Sequence, residues 1–126
     1  MTLELPWPPS VNRAWRSVGG KVLLSRECRD YRRAVMLAVA LSPQRWTKFS
    51  TGERLAVVVH AFPPDKRRRD IANLDKALMD AIQEAGVIGD DSQVDDLHIV
   101  RKKVVKGGKV RVSIMELEQN SDVESK

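Results

Sequence analysis

The sequence contains one cysteine, Cys28, so neither an intrachain disulfide nor a cysteine-built zinc cage can form, which suits a reducing compartment. Its two histidines, His60 and His98, stand apart with no second ligand at metal spacing, so zinc chemistry and histidine-based catalysis have no support. No apolar run approaches the ~20 residues that a bilayer crossing needs; the longest runs only from Ala34 to Leu41. The opening Met1-Thr2-Leu3-Glu4 lacks the pattern of a secretion signal, and a soluble cytoplasmic protein with no membrane partner is expected. A Walker loop, a Gly-x-Ser-x-Gly elbow and a dinucleotide fingerprint are all missing, which argues against ATPases, triad hydrolases and any nucleotide cofactor. Aromatics are scarce at 5%; of them Trp7, Trp15 and Trp46 suit either base stacking or the plugging of a core beside prolines.

Positive charge is plentiful. The whole chain carries +5, but Glu116 to Lys126 holds Glu116, Glu118, Asp122 and Glu124 against one lysine, a net of −3, leaving +8 on residues 1–115. Such a surplus favours a polyanionic partner, nucleic acid before an acidic small molecule. The length of 126 residues fits one domain, drawn here as 1–118, with a polar tail over 119–126 expected to be disordered.

The residue pattern predicts an α/β fold, a mixed sheet with two main helices packed on it, in the order β, α, β, α, β, β. Thr2 to Leu5 reads as a short strand running into Pro6-Trp7-Pro8-Pro9, and the stretch to Ser25 as irregular, with Lys21 to Leu24 a candidate edge strand. From Ser25, an N-cap, the apolar residues Cys28, Tyr31, Val35, Ala38 and Val39 mark a helix that Pro43 closes. Leu55 to Phe62 is rich in β-branched residues and predicts a buried strand. Ile71, Leu74, Leu78, Ala81, Ile82 and Ala85 form an apolar stripe that predicts a second helix, capped by Asp70 and stopped at Gly86. Asp96 to Val105 and Lys109 to Leu117 then read as strands joined by a tight Lys106-Gly107-Gly108 hairpin.

Three carboxylates fall at element ends rather than on solvated faces: Asp70, Asp90 and Asp91. Hard oxygen ligands of this kind suit Mg²⁺ or Mn²⁺; on these residues alone, capping by Asp70 and turn formation by Asp90-Asp91 is the stronger reading. What shifts the balance is Lys66-Arg67-Arg68-Arg69 directly before Asp70, cations that draw phosphate to a potential metal ligand. Asn73, Lys76 and Asp80 follow on the polar side of the same helix, where Lys76 is either a solvated lysine or a group that offsets charge in phosphodiester cleavage.

Taken together, the segments Leu5-Pro6-Trp7-Pro8-Pro9-Ser10-Val11-Asn12-Arg13, Arg67 to Leu74, Lys76-Ala77, Asp80-Ala81, Ala85-Gly86, Asp90 to Val94 and Lys106-Gly107-Gly108 resemble the RusA family of Holliday junction resolvases. The likeness spans nearly the whole chain except the tail. It implies a homodimer of mixed α/β fold that requires Mg²⁺ or Mn²⁺, binds a four-way junction and nicks two opposing strands, in DNA recombination and repair. It places catalysis on Asp70, Asp91 and Lys76, and metal on Asp70 and Asp91, with Asp90 and Asp75 assisting. A third family aspartate falls on Ala72, which binds no metal. The DNA-binding set drawn from the family motif and the basic residues is Arg13, Arg67, Arg68, Arg69, Asn73, Lys102, Lys103, Lys106 and Lys109. The alternative is a junction-binding protein that cuts weakly or not at all because Ala72 replaces that aspartate. Since the second helix holds Asp70 and Asp91 roughly 22 Å apart at ~1.5 Å per residue, each site is expected to combine Asp70 of one subunit with Asp91 of the other.

Overall fold

All six elements of the predicted order recur, some with shifted bounds, in the computed structural model, which describes residues 1–10, 15–18 and 21–117, with backbone alone for 15–18 and 21–24. Arg13 and the tail expected over 119–126 lie outside the described residues. Strand β1 (Thr2–Pro6) pairs antiparallel with β6 (Lys109–Glu116), and β6 pairs antiparallel with β4 (Leu55–Phe62). On the far side of β4 runs β5 (Val94–Arg101) in parallel, giving the order β1-β6-β4-β5. A separate antiparallel ribbon joins β2 (Trp15–Val18) to β3 (Lys21–Leu24), so the stretch read as mostly irregular contains two strands.

Alternation sets the faces of the sheet. Leu3, Val112 and Val59 share one row of the register and are buried with their neighbours Leu5, Val110, Val57 and Ile114. The intervening Glu4 and Arg111 meet on the opposite, wetter face at 2.6 Å. Helix α1 (Arg26–Leu41), capped as expected by the Ser25 hydroxyl, sends Tyr31, Val35 and Val39 into the core. Helix α2 (Asp75–Glu84) adds Leu78, Ala81 and Ile82. Arg32 ties the helices together, 2.6 Å from Glu84 and 3.6 Å from Asp80. No helix among the described residues is long and apolar enough to cross a membrane.

Two expectations are corrected. The second helix does not begin at Ile71: Ile71–Asn73 is a 3₁₀ turn, and α-helix starts only at Asp75. In a 3₁₀ turn side chains three apart eclipse one another, which lets Ile71 and the buried Leu74 press on the same core. The last two strands are not a hairpin, because β4 lies between them. Lys102 to Val105 leaves the ladder to cross the end of β4, where the Lys102 amide donates to the Ala61 carbonyl at 2.8 Å and the Val105 amide to that of Pro63 at 2.9 Å. Gly107 and Gly108 then turn the chain with φ of 82° and 72°.

Candidate nucleic-acid interface and acidic groove

Strand β4 stops at Phe62 because Pro63 and Pro64 donate no ladder hydrogen bond, and the loop that follows carries the arginine run. Its organiser is Asp65, which accepts from the Arg67 amide at 2.8 Å and from the Arg69 guanidinium at 2.6 and 3.2 Å. The Arg69 bonds, and then the Arg67 amide, pull the Asp65 carboxyl from an ordinary 3.8 down to about 2. Arg69 is thereby turned inward, 6.0 Å above the Trp7 ring centroid, and its carbonyl accepts from Arg101 at 2.7 Å. Lys66, Arg67 and Arg68 are left exposed.

The Val105–Gly108 turn sits at this same end of the sheet. A Cβ on Gly108 would come within 3.0 Å of both Trp7 Cβ and Pro64 Cδ, so the turn fits closely only without a side chain. Lys102, Lys103 and Lys106 are exposed beside it. Lys109, expected to bind DNA, differs: its ammonium is 3.1 Å from Glu4 and 5.2 Å above the Phe62 ring, a structural engagement on the sheet.

Asp70 caps the 3₁₀ turn, its Oδ1 accepting from the Ala72 amide at 3.1 Å. With Arg67, Arg68, Arg69 and Asn73 it lines a cavity of about 450 Å³. Of the sequence-predicted site residues, this cavity therefore brings Asp70 together with Arg67, Arg68, Arg69 and Asn73. Ala72 is exposed.

Asp91 lies elsewhere. It opens a 3₁₀ turn (Asp91–Gln93) at the start of β5, beside Leu55 at the start of β4, whereas Asp70 follows the end of β4. The Arg101 bond to the Arg69 carbonyl places Asp70 toward the end of β4, and Asp91 lies toward its start; the strand between spans about 23 Å at ~3.3 Å per residue. Asp91 instead shares a smaller groove, about 190 Å³, with Asp75, Lys76, Met79, Val94 and Leu97. Lys76 leans on Asp80 at 3.5 Å, and Asp80 in turn faces Arg32. Asp90 is a cap: its carboxylate accepts from the Ser92 hydroxyl and from the Ser92 amide at 3.0 Å, and these bonds, the hydroxyl first, hold it below the usual carboxylate range.

A residue given no role from sequence holds this acidic loop in place. Gln93 is buried and uses its whole amide: Oε1 accepts from the amides of Gly89 at 2.7 Å and Asp90 at 2.9 Å, while Nε2 donates to the carbonyls of Ser50 at 2.6 Å and Glu53 at 2.8 Å. The Asp91 amide donates to Gln83 Oε1 at 3.1 Å. The spacing Asp90-x-x-Gln93 is that of a capping box, and that signal was available in the sequence.

Among the described residues, no three acidic, histidine or cysteine side chains gather into a metal cluster. The expected set of Asp70, Asp91, Asp90 and Asp75 is thus split within one chain. The donors still fit the chemistry of a hard cation, because Mg²⁺ accepts one or two carboxylates when phosphate oxygens and water complete its shell.

The sequence model described as Endodeoxyribonuclease RusA matches residues 6–115. Similar curated proteins are crossover junction endodeoxyribonucleases: that of Enterobacteria phage HK97 is 39% identical over 114 residues, covering 90% of this chain and 92% of its own. That of Escherichia coli strain K12 is 35% identical over 116 residues, covering 92% and 94%. A third, from Enterobacteria phage 82, is 36% identical over 115 residues, covering 91% and 93%.

Proposed function

Because this chain belongs to the RusA family, we propose that it is a structure-specific endonuclease that resolves four-way (Holliday) DNA junctions by paired nicking, in recombination and repair. The observation that carries the reading is the convergence of Asp70, Arg67, Arg68 and Asn73 on one cavity, next to the exposed Lys102, Lys103 and Lys106. Cations at that end take phosphates and so set the register of the duplex arms. Held by Asp70 and Asp91, with Asp90 and Asp75 assisting, Mg²⁺ or Mn²⁺ would supply Lewis acidity and an ionised water at the scissile phosphate. Lys76, steadied by Asp80, offsets negative charge developing there.

The two-subunit reading draws support from the sheet: Asp70 follows the end of β4, whereas Asp91 precedes the strand that starts beside the beginning of β4. A C₂ homodimer would bring the two residue types together twice and present two equivalent sites to a near two-fold junction. The work belongs in the cytoplasm, where Cys28, buried and unpaired, stays reduced.

The second reading, a junction binder with little cutting, is favoured by one observation, the exposed methyl group of Ala72 beside Asp70. Purified protein incubated with labelled four-way junction and linear duplex, with and without Mg²⁺ or Mn²⁺, separates them. Metal-dependent symmetric nicking of the junction is the expected result. Retention of the junction without nicking selects the binding module, and no preference for the junction removes both.

A further inference from the structure

The basic end has more relief than phosphate binding requires. Exposed cations on a flat surface suffice for a DNA backbone, yet here Arg67, Arg68 and Arg69 rim a cavity of about 450 Å³, within the ~300–1,000 Å³ of sites that take small organic ligands. One wall is the indole of Trp7, which is half-buried and leans on the core. Buried Pro8 follows it, and the glycine turn at Gly108 packs behind its Cβ. Arg69 stands over the ring, fixed by two bonds to Asp65 and by the Arg101 bond to its carbonyl. This wall is held rigid before any ligand arrives, which lowers the ordering cost of binding. The other side carries Asn73, whose amide can read the donor and acceptor pattern of a base edge.

We propose that this cavity receives a single unpaired nucleotide of the junction, its base stacked on Trp7 and the Arg69 guanidinium, its edge met by Asn73, and its flanking phosphates held by Arg67 and Arg68. The inference rests on the endonuclease reading and adds to it a place where the DNA is opened. Extruding a base from a continuous duplex costs a few kcal/mol, and less where stacking is already interrupted, as at the exchange point of a four-way junction. An aromatic wall recovers part of that cost with little regard for base identity. The cavity would then discriminate branched from linear DNA even though its cations touch only phosphate.

The test is photo-crosslinking of the full-length wild-type protein, without divalent metal, to four-way junctions carrying 5-iodo-deoxyuridine at each nucleotide flanking the exchange point, the adducts being mapped by mass spectrometry. Halogenated bases couple to aromatic side chains on which they stack. An adduct on Trp7 confined to one position beside the exchange point is expected. A shifted, junction-specific complex that crosslinks elsewhere, or not at all, would overturn the pocket and leave the endonuclease reading intact. Failure to form any junction complex would sink that reading and the pocket with it. Trp7→Leu keeps apolar bulk and removes the stacking face; folded Trp7→Leu protein is expected to lose about fivefold or more in preference for junction over linear duplex. An unchanged preference counts against the proposal, and if the variant fails to fold the wild-type crosslinking map still decides.

Discussion

Adjacent arginines in a run of three have different work. Arg69 is committed to Asp65 and Trp7, whereas Arg67 and Arg68 face solvent. Replacing Arg67 and Arg68 with alanine is expected to flatten the salt dependence of junction binding by a log-log slope of about 0.9 for each phosphate no longer neutralised. The melting temperature should barely move, because exposed side chains contribute little to folding. Binding titrations across a salt series check this, and an unchanged slope would take both residues off the DNA surface. Ala72 offers the opposite experiment. Its side chain is exposed and only its amide is engaged, by Asp70, so Ala72→Asp adds a carboxylate beside Asp70 without disturbing the core. Junction cleavage should rise and the Mg²⁺ concentration for half-maximal rate should fall severalfold, while affinity measured without metal weakens slightly from the added charge near phosphate. A folded variant with unchanged rate and metal dependence would remove Asp70 from the metal site.

The elements show why local pattern reads well in some places and poorly in others. Helix α1 is legible because Ser25, a three-to-four-residue apolar step and Pro43 all act within a few residues of where they stand. Gly86 likewise ends α2 with a φ of 84°, as a C′ glycine should. The split of Ile71 to Ala85 is not legible, since the apolar stripe is the same for a helix and for a 3₁₀ turn feeding one; docking of Leu74 decides between them. Nor is the strand order, because Lys106-Gly107-Gly108 suits a hairpin and a crossing turn alike. The polar run Asp95, Asp96, His98 fits an edge strand, and β5 is one. The site's residue types are thus readable, but not the length of sheet between Asp70 and Asp91. Gln93 gives the sharpest element-level forecast. Gln93→Ala strips partners from four backbone groups, each costing roughly 1–3 kcal/mol if left unsatisfied and buried. Denaturant titration should show a loss of at least about 2 kcal/mol. Cleavage should fall even where the protein remains folded, because the Asp90-Asp91 loop loses its anchor.

Considered whole, the molecule separates its acidic groove from its basic end, and complementation between variants probes that separation. Asp70→Asn and Asp91→Asn proteins are each expected to be inactive. Mixed with confirmed subunit exchange, they should regain nicking of one strand, since a heterodimer holds one intact composite site and one doubly damaged site. No recovery would argue that both carboxylates act within one chain. Assembly of the sheet has its own order as well. Among the described residues β1 pairs only with β6, and β6 also closes the open side of β4, so one of the two strands bonded on both sides is the last strand of the sheet to be made.

That arrangement governs how the protein comes off the ribosome. A growing chain that has not yet released Lys109–Glu116 leaves β1 unpaired and the rows of Leu3, Leu5, Val57 and Val59 uncovered on one side, so it cannot fold piece by piece from its N-terminus. A chain stopped at Lys109 is expected to show no cooperative melting, and a sigmoidal transition from it would contradict this. Lys102 to Val105 hangs on the end of β4, but the turn that bears Lys106 closes through Gly107 and Gly108, which lead directly into β6, so the DNA-facing end is finished only as that strand is made. Half-made copies therefore do not present a formed grip to the chromosome.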